Sequence, residues 1–410
     1  MIYPRQKLYD TNHIGYFKAI INGSLNKDED INFSQEFYKL TNIDNAIPMS
    51  RGRLGLYFAI KNFVSDKKNK VIMNSFTIFD VINMVIVGNG KPVFCDSESK
   101  FSPHITLDEI IKNSDEQTAV VIITHYHTVN PYIEEIAKWC QENNIKLIED
   151  CAISFGSFLN GKAIGSFGDA SYFSFGLFKF VSTYFGGAAW FKDLELRDKI
   201  IEDTSKWNQM QENDLRPYFI KGIKLNILMN KYIFNYFTFP LFKFGYINDI
   251  GFIKKQAVND PDPHLKAELP EYYKKRPSTF QVKEFIRQFK NIKTNKKIRV
   301  KNAMTYFDIL SNNKNITISK PTENDSFLNF PIILKNHSRD NIVNEIMKKN
   351  FDVSIYFYRN CANLECFSSY KKDLPNIEYF VSNLITLPSY PNIDTEYIKS
   401  LANTVNEVTS

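Results

Sequence analysis

The sequence predicts an α/β protein, with a large unit built on a mainly parallel sheet between helices and a smaller α/β unit at the C-terminal end. Three observations predict it. From residue 53 to about 193, short β-branched or aromatic runs alternate with helical periods, which is the pattern of successive βα units. After about residue 310 a second, shorter series of strand, helix, strand and helix follows. The 410 residues, at roughly 150 per domain, suggest about two to three domains, and 43% hydrophobic residues can fill a large core.

Strands are predicted near 71–76, 92–96, 119–125, 145–149, 170–175 and 188–192. Ile133, Ile136, Ala137 and Cys140 recur at i, i+3, i+4 and i+7, so IEEIAKWCQENN is an amphipathic helix feeding the strand IKLIE. Residues 1–206 are expected to form the large domain. Residues 207–270 break the rhythm: GIKLNILMNKYIFNYFTFPLFKFGY is dense in aromatics and lysines without sheet alternation, and NDPDPH reads as a loop. That stretch is expected to be an insertion. A Lys-rich helical pattern around 280–310 makes 271–310 a helical connection. In 311–410, FLNFPIIL and NLITLPSYP read as strands, and RDNIVNEIMKKN and TEYIKSLANTVNEV as helices.

Composition narrows the function. A formal net charge of +6, with no dense basic block, argues against nucleic-acid binding. The five cysteines contain no CxxC pair, the start lacks the order of a secretory signal, and no apolar run is long enough for a membrane span, so a cytoplasmic protein with reduced thiols is expected. No metal spacing appears; His125 and His127 read as a polar strand end. There is no GxxxxGK[ST], and Gly88 and Gly90 end a helix instead of opening one, which disfavours P-loop enzymes and dehydrogenases.

The acidic pair Glu149-Asp150 ends a buried strand, where open α/β sheets place ligand contacts, although a solvated strand end would look the same. Lys179 emerges from the aromatic segment after ASYFSF. It is either snorkelling or kept for an amine that desolvation makes nucleophilic. A carboxylate and a lysine at neighbouring strand ends suit pyridoxal phosphate (PLP), which needs an amine for a Schiff base and an acid against its pyridinium nitrogen.

These residues lie within a longer series of motifs. Ser50-Arg51-Gly52-Arg53, Phe76-Thr77, Lys91-Pro92-Val93-Phe94-Cys95-Asp96, Glu149-Asp150-Cys151-Ala152, Gly165-Ser166-Phe167-Gly168-Asp169, Phe173-Ser174-Phe175 with Lys179, Gly186-Gly187 and Leu387-Pro388-Ser389-Tyr390-Pro391 occur in one order. In that order, over nearly its whole length, the chain resembles the DegT/StrS sugar aminotransferases. The resemblance implies the PLP-dependent transferase fold type I with a seven-stranded-type sheet. It also implies a homodimer with sites at the subunit interface, and transamination of a nucleotide-linked keto sugar with L-glutamate as donor. Surface-polysaccharide or glycoconjugate biosynthesis is the implied setting.

Carried over residue by residue, the resemblance makes Lys179 the Schiff-base lysine and Asp150 the partner of the pyridinium nitrogen. Ser174 would bond the cofactor phosphate, and Gly52 with Arg53 would offer backbone N–H groups at a helix start. Three positions depart from the family pattern. Ile153 stands where Gln or His is usual, with Ser154 as a candidate substitute. Ile78 stands where an aromatic ring stacks on the cofactor, with Phe79 beside it. The insertion displaces the loop that carries a partner-subunit phosphate contact. Two other functions remain: a sugar dehydratase, which in this family replaces the lysine by histidine, and a non-catalytic binding or scaffolding descendant. For Tyr218 to Lys255, with Lys254 and Lys255 at its end, dimer or core packing is expected ahead of a substrate flap or peripheral membrane contact.

Overall fold

The run TAVVIIT at Thr118–Thr124 is buried at every position, as a strand covered on both faces must be. It lies mid-sheet in a computed structural model that describes residues 1–7, 11–27, 29, 31–253, 262–355 and 358–410. Among the described residues, ten strands precede the long helix at 279–310. They are β1 (Ile47–Met49), β2 (Lys70–Asn74), β3 (Phe76–Thr77), β4 (Lys91–Cys95), β5 (Thr118–Thr124), β6 (Lys146–Asp150), β7 (Phe158–Leu159), β8 (Lys162–Ala163), β9 (Ala170–Ser174) and β10 (Gly187–Phe191). Seven of these form the central sheet in the order β1-β10-β9-β6-β5-β2-β4. β4, β2, β5, β6 and β9 run parallel, while β10 and β1 each run antiparallel to their neighbour.

Because side chains alternate across a strand, the sheet feeds two cores. Val120, Ile122 and Ile148 face one, and Val121, Ile123 and Leu147 face the other. The second core is closed by the helix Ile133–Glu142 through Ile133, Ile136 and Cys140, with Ala137 at its edge, as the 3.6-residue periodicity requires. The expected strand at 71–76 stops at Asn74, whose side-chain oxygen accepts the Phe76 N–H at 2.6 Å. That turn sends Phe76–Thr77 away to pair with β13 (Arg359–Asn360). The helices His13–Ile21 and Phe33–Thr41, capped by Asn12 and Asn32, fall before the stretch where sequence periodicity was informative.

The helix Thr279–Leu310 is 32 residues long, about 48 Å at 1.5 Å per residue. A capping box of Ser278 and Gln281 starts it. Its first half puts Phe285, Phe289 and Ile292 into the core of the large unit, and its second half puts Ala303, Tyr306 and Leu310 into that of the small unit. The small unit is an antiparallel sheet of β11 (Ile316–Thr317), β12 (Phe330–Leu334) and β14 (Leu384–Leu387), covered by Arg339–Lys348 and Thr395–Val408. β14 ends where Pro388 removes the next ladder donor.

The aromatic and basic stretch is helical: Glu212–Leu228, Lys231–Ile233, a π-helical turn Phe234–Thr238, and Phe239–Ile247. Phe234, Phe239 and Tyr246 bury into the small unit's core, and Leu215 and Phe219 pack on Tyr16 and Tyr184. Tyr232, Tyr236, Phe237 and Phe244 are exposed. Lys254 and Lys255 lie outside the described residues.

Candidate active site

Three elements converge at the carboxyl end of the parallel strands. β6 ends on Asp150, and β9, paired with it so that Tyr172 lies opposite Asp150, ends on Ser174. The connection from β9 to β10 carries Lys179. Here Phe178 takes a left-handed φ of 63° and the Lys179 N–H donates to the Gly176 carbonyl at 3.2 Å. This tight loop aims the lysine back across the strand ends.

Asp150 is buried, and one of its oxygens accepts the Ala152 N–H at 2.9 Å. Burial raises its pKa, opposed by Tyr172, by the Ala152 amide and by the charges of Lys179 and His125. The Tyr172 hydroxyl lies beside this carboxylate without closing a good hydrogen bond to it. Lys179 is pushed down to about 8, first by burial, with Asp150 opposing and Arg53 adding to the depression. Carboxylate and amine are thus electrostatically coupled, as the sequence pairing of the two requires.

The neighbouring carboxylate does something else. Glu149 points to the opposite face, where it accepts the N–H groups of Gly165, Phe167 and Gly168 at 2.8, 2.6 and 2.9 Å. His125 accepts the Asn130 N–H on Nδ1, which leaves Nε2–H to donate to Glu149 at 3.1 Å. His125, Glu149 and Cys151 offer ligand-type atoms within 4.8 Å of one another. Both ring nitrogens and the carboxylate are already committed to hydrogen bonds, and burial raises the Cys151 thiol well above its usual range, so this is a structural knot that locks the Gly165–Gly168 turn.

Ser174 sits opposite Gly187 in the β9–β10 pair. Gly52 opens the helix Gly52–Phe63 directly against it: a Cβ on Gly52 would lie 2.5 Å from the Phe173 carbonyl oxygen, and one on Gly187 would lie 2.5 Å from the Gly52 nitrogen. Only two glycines allow this approach, and it places the first-turn amides of Gly52 and Arg53 beside the Ser174 backbone. Those amides have no intrahelical acceptor, and Arg51 supplies no side-chain cap. The Arg53 side chain turns away to pair with Asp80, which also holds Lys266.

The two isoleucines are placed as follows. Ile153 is buried, its carbonyl accepting from the Ser326 hydroxyl at 2.8 Å, and its side chain offers no donor. Ser154 is also buried, with its hydroxyl near the Cys151 thiol. Ile78 precedes the helix Phe79–Val87, and the Phe79 ring packs on His264 at 5.4 Å. Two residues were not singled out from the sequence as site residues. Tyr358 puts its ring centroid 6.0 Å from Lys179 Nζ. His127, held down to about 3 by burial and then by the charges of Lys179 and Arg299, is a neutral imidazole beside the lysine; its place in the HYH run after β5 was the available signal.

With this geometry in view, comparison with known proteins is decisive. The family model for DegT/DnrJ/EryC1/StrS aminotransferases matches residues 12–221 and 273–406. The chain belongs to this family. The match breaks across 222–272, within which the exposed aromatic helices fall. GDP-perosamine synthase of Vibrio cholerae is 29% identical over 143 residues, 35% of this chain and 39% of that protein. An uncharacterized protein of Methanocaldococcus jannaschii is 23% identical over 383 residues, 93% of this chain and 90% of that one. Among solved structures, Helicobacter pylori PseC, an aminotransferase of pseudoaminic acid biosynthesis, superposes with a TM-score of 0.76 at 17% identity, covering 100% of this chain and 99% of that one. The E. coli GDP-4-keto-6-deoxy-D-mannose-3-dehydratase with bound hydrated PLP superposes with a TM-score of 0.72 at 17% identity, covering 100% of each chain. The fold is therefore that of the PLP-dependent sugar enzymes, as the sequence motifs imply.

The residues present fit PLP. Among the described residues the buried acid makes no close ion pair and the adjacent Tyr172 hydroxyl lacks a good partner, while an amine is held near neutrality and a helix start beside a serine has amides to offer an anion.

Proposed function

We propose that this protein is a PLP-dependent aminotransferase that moves an amino group, from L-glutamate, to a keto sugar carried on a nucleotide, in surface-polysaccharide or glycoconjugate biosynthesis, and that it works as a homodimer. The observation that carries the reading is the coupling of Lys179, an amine at about 8, to the buried carboxylate of Asp150 across adjacent strand ends. PLP bound here would supply a carbonyl that condenses with amines and a protonated ring that accepts the electron pair released at the substrate carbon.

The chain's own groups do the rest. Asp150 would hold the proton on the ring nitrogen through a charge-assisted hydrogen bond, which relieves the cost of its own burial. Lys179 Nζ, neutral in a useful fraction near pH 7, can take up and return a proton at the reacting carbon. Ser174 and the amides of Gly52 and Arg53 would bind the phosphate, and the positive end of the helix Gly52–Phe63 favours that charge. His127, kept neutral, adds no cation that would compete for Asp150.

The nucleotide-sugar substrate is read from relatives named for GDP-perosamine, for a dTDP-linked 4-dehydro sugar and for a UDP-linked altrosamine, whose alignments span 39%, 43% and 52% of those proteins. The retained Lys179 favours amination over dehydration. The test is a coupled assay: with PLP and glutamate, 2-oxoglutarate should accumulate only when a GDP-, dTDP- or UDP-linked keto sugar is supplied. Absence of PLP uptake by the purified protein would overturn the reading.

A further inference from the structure

Arg51, next to the phosphate cradle, is a buried cation without an anion. It is 6% exposed and precedes the helix Gly52–Phe63. Its guanidinium carbon lies 4.1 Å from the ring centroid of Phe185, 4.6 Å from that of Tyr273, 5.3 Å from that of Tyr272 and 6.0 Å from that of Tyr218. Among the described residues it has no carboxylate and no hydrogen-bond acceptor, and its Nε is buried without a partner. The rings hold the guanidinium, and its buried Nε–H is left without an acceptor among the described residues.

Two further cations lie close by. Arg53 and Lys266 share the single carboxylate of Asp80, and both Arg51 and Arg53 disfavour the charged form of the Lys266 amine. Three cations therefore face one carboxylate among the described residues, at the positive end of a helix. Arg53 also acts on Lys179, which ties this group of cations to the cofactor site. An uncompensated buried charge of this kind is strongly unfavourable unless an anion completes it, and a planar guanidinium edge matches phosphate oxygens two at a time.

We propose that Arg51, held by its aromatic cage and assisted by Lys266, is a phosphate-binding residue beside the helix start of the cofactor site, a proposal that rests on the PLP reading above. Phosphate could come from two sources, the 5′-phosphate of the cofactor or the diphosphate of the nucleotide-linked substrate. The two sources differ in what Arg51→Gln should lose.

The experiment compares wild-type, Arg51→Gln and Arg51→Lys proteins. Affinity for PLP and for pyridoxal, which lacks the phosphate, is measured on the ligand-free protein by fluorescence. Affinity for GDP, UDP and dTDP is measured by calorimetry on the PLP-loaded protein. If the cofactor is the source, Arg51→Gln loses about tenfold or more in PLP affinity with pyridoxal unchanged. If the substrate is the source, the same loss falls on a nucleoside diphosphate with PLP unchanged. In either case Arg51→Lys should recover part of it, because a point charge replaces the fork. Affinities of Arg51→Gln within about twofold of wild type for every probe overturn the proposal. So does a lower melting temperature of the ligand-free variant with the ligand-induced gain intact, which assigns Arg51 to packing. Conversion of a dimer to a monomer with unchanged ligand affinities also overturns it, because the guanidinium then belongs to a subunit contact. Failure of the PLP reading is seen separately, as wild-type protein that takes up no PLP; inorganic pyrophosphate binding by wild type, lost in Arg51→Gln, still decides the anion site.

Discussion

Replacing Asp150 by Asn should lower the pKa of Lys179 below its value of about 8, and the reason can be followed group by group. Burial drives the depression, the Asp150 charge opposes it, and Arg53 deepens it. Removing the opposing charge leaves the amine more acidic, whereas Arg53→Gln should move it the other way. An amine at about 8 is neutral in about one molecule in eleven at pH 7, against about one in three thousand at the ordinary 10.5, a gain of about 300-fold. A neighbouring opposite charge favours the protonated amine, so Asp150→Asn should bring the midpoint clearly below about 8. The assay is acylation of Lys179 in the ligand-free protein as a function of pH, read by peptide mass spectrometry. Wild type should give a midpoint near 8, Asp150→Asn a lower one and Arg53→Gln a higher one. A wild-type midpoint near 10.5, or a rise in Asp150→Asn, would refute the coupling. The same variant should transaminate slower by orders of magnitude, since the ring nitrogen loses the charge that keeps it protonated.

Stability should separate the two adjacent carboxylates. Glu149→Gln leaves three backbone donors and His125 facing an amide, and should cost about 2–4 kcal/mol, read as a fall in melting temperature. Ligand-free Asp150→Asn, which relieves a buried carboxyl, should melt at or above wild type by the same scan. Gly187→Ala would put a methyl 2.3 Å from the Phe173 carbonyl oxygen; it should destabilise by about 1–3 kcal/mol and weaken PLP binding measured by fluorescence. Deletion of 218–255 removes Phe234, Phe239 and Tyr246 from the small unit's core, and should give aggregating or monomeric protein by light scattering. Flotation of the intact enzyme with liposomes should be weak and abolished by salt.

The parts of this molecule that were legible in the sequence are those written locally. The parallel strands show as β-branched runs, the helix Ile133–Glu142 as a period, and Lys179 and Asp150 as single chemical residues at strand ends. Which of the two adjacent carboxylates is turned toward Lys179 was readable only through the family resemblance, because alternation guarantees only that they face opposite ways. The environment of Ile78 was not legible: Phe79, its neighbour, is drawn to His264, 185 positions away in sequence. Tyr358 reaches Lys179 from the C-terminal segment, and the aromatic cage of Arg51 gathers Phe185, Tyr218, Tyr272 and Tyr273 from three segments. No spacing encodes such meetings. The aromatic stretch after 207 lacked a readable period because its residues divide between two cores and the surface within a few turns.

The central claim is that Lys179 is the amine that holds PLP, poised by Asp150. Borohydride reduction of the PLP-loaded protein, followed by peptide mapping, tests it most directly. The account predicts a single pyridoxyl adduct on Lys179, absent from Lys179→Ala. An adduct on another lysine, with Lys179 unmodified, would contradict it.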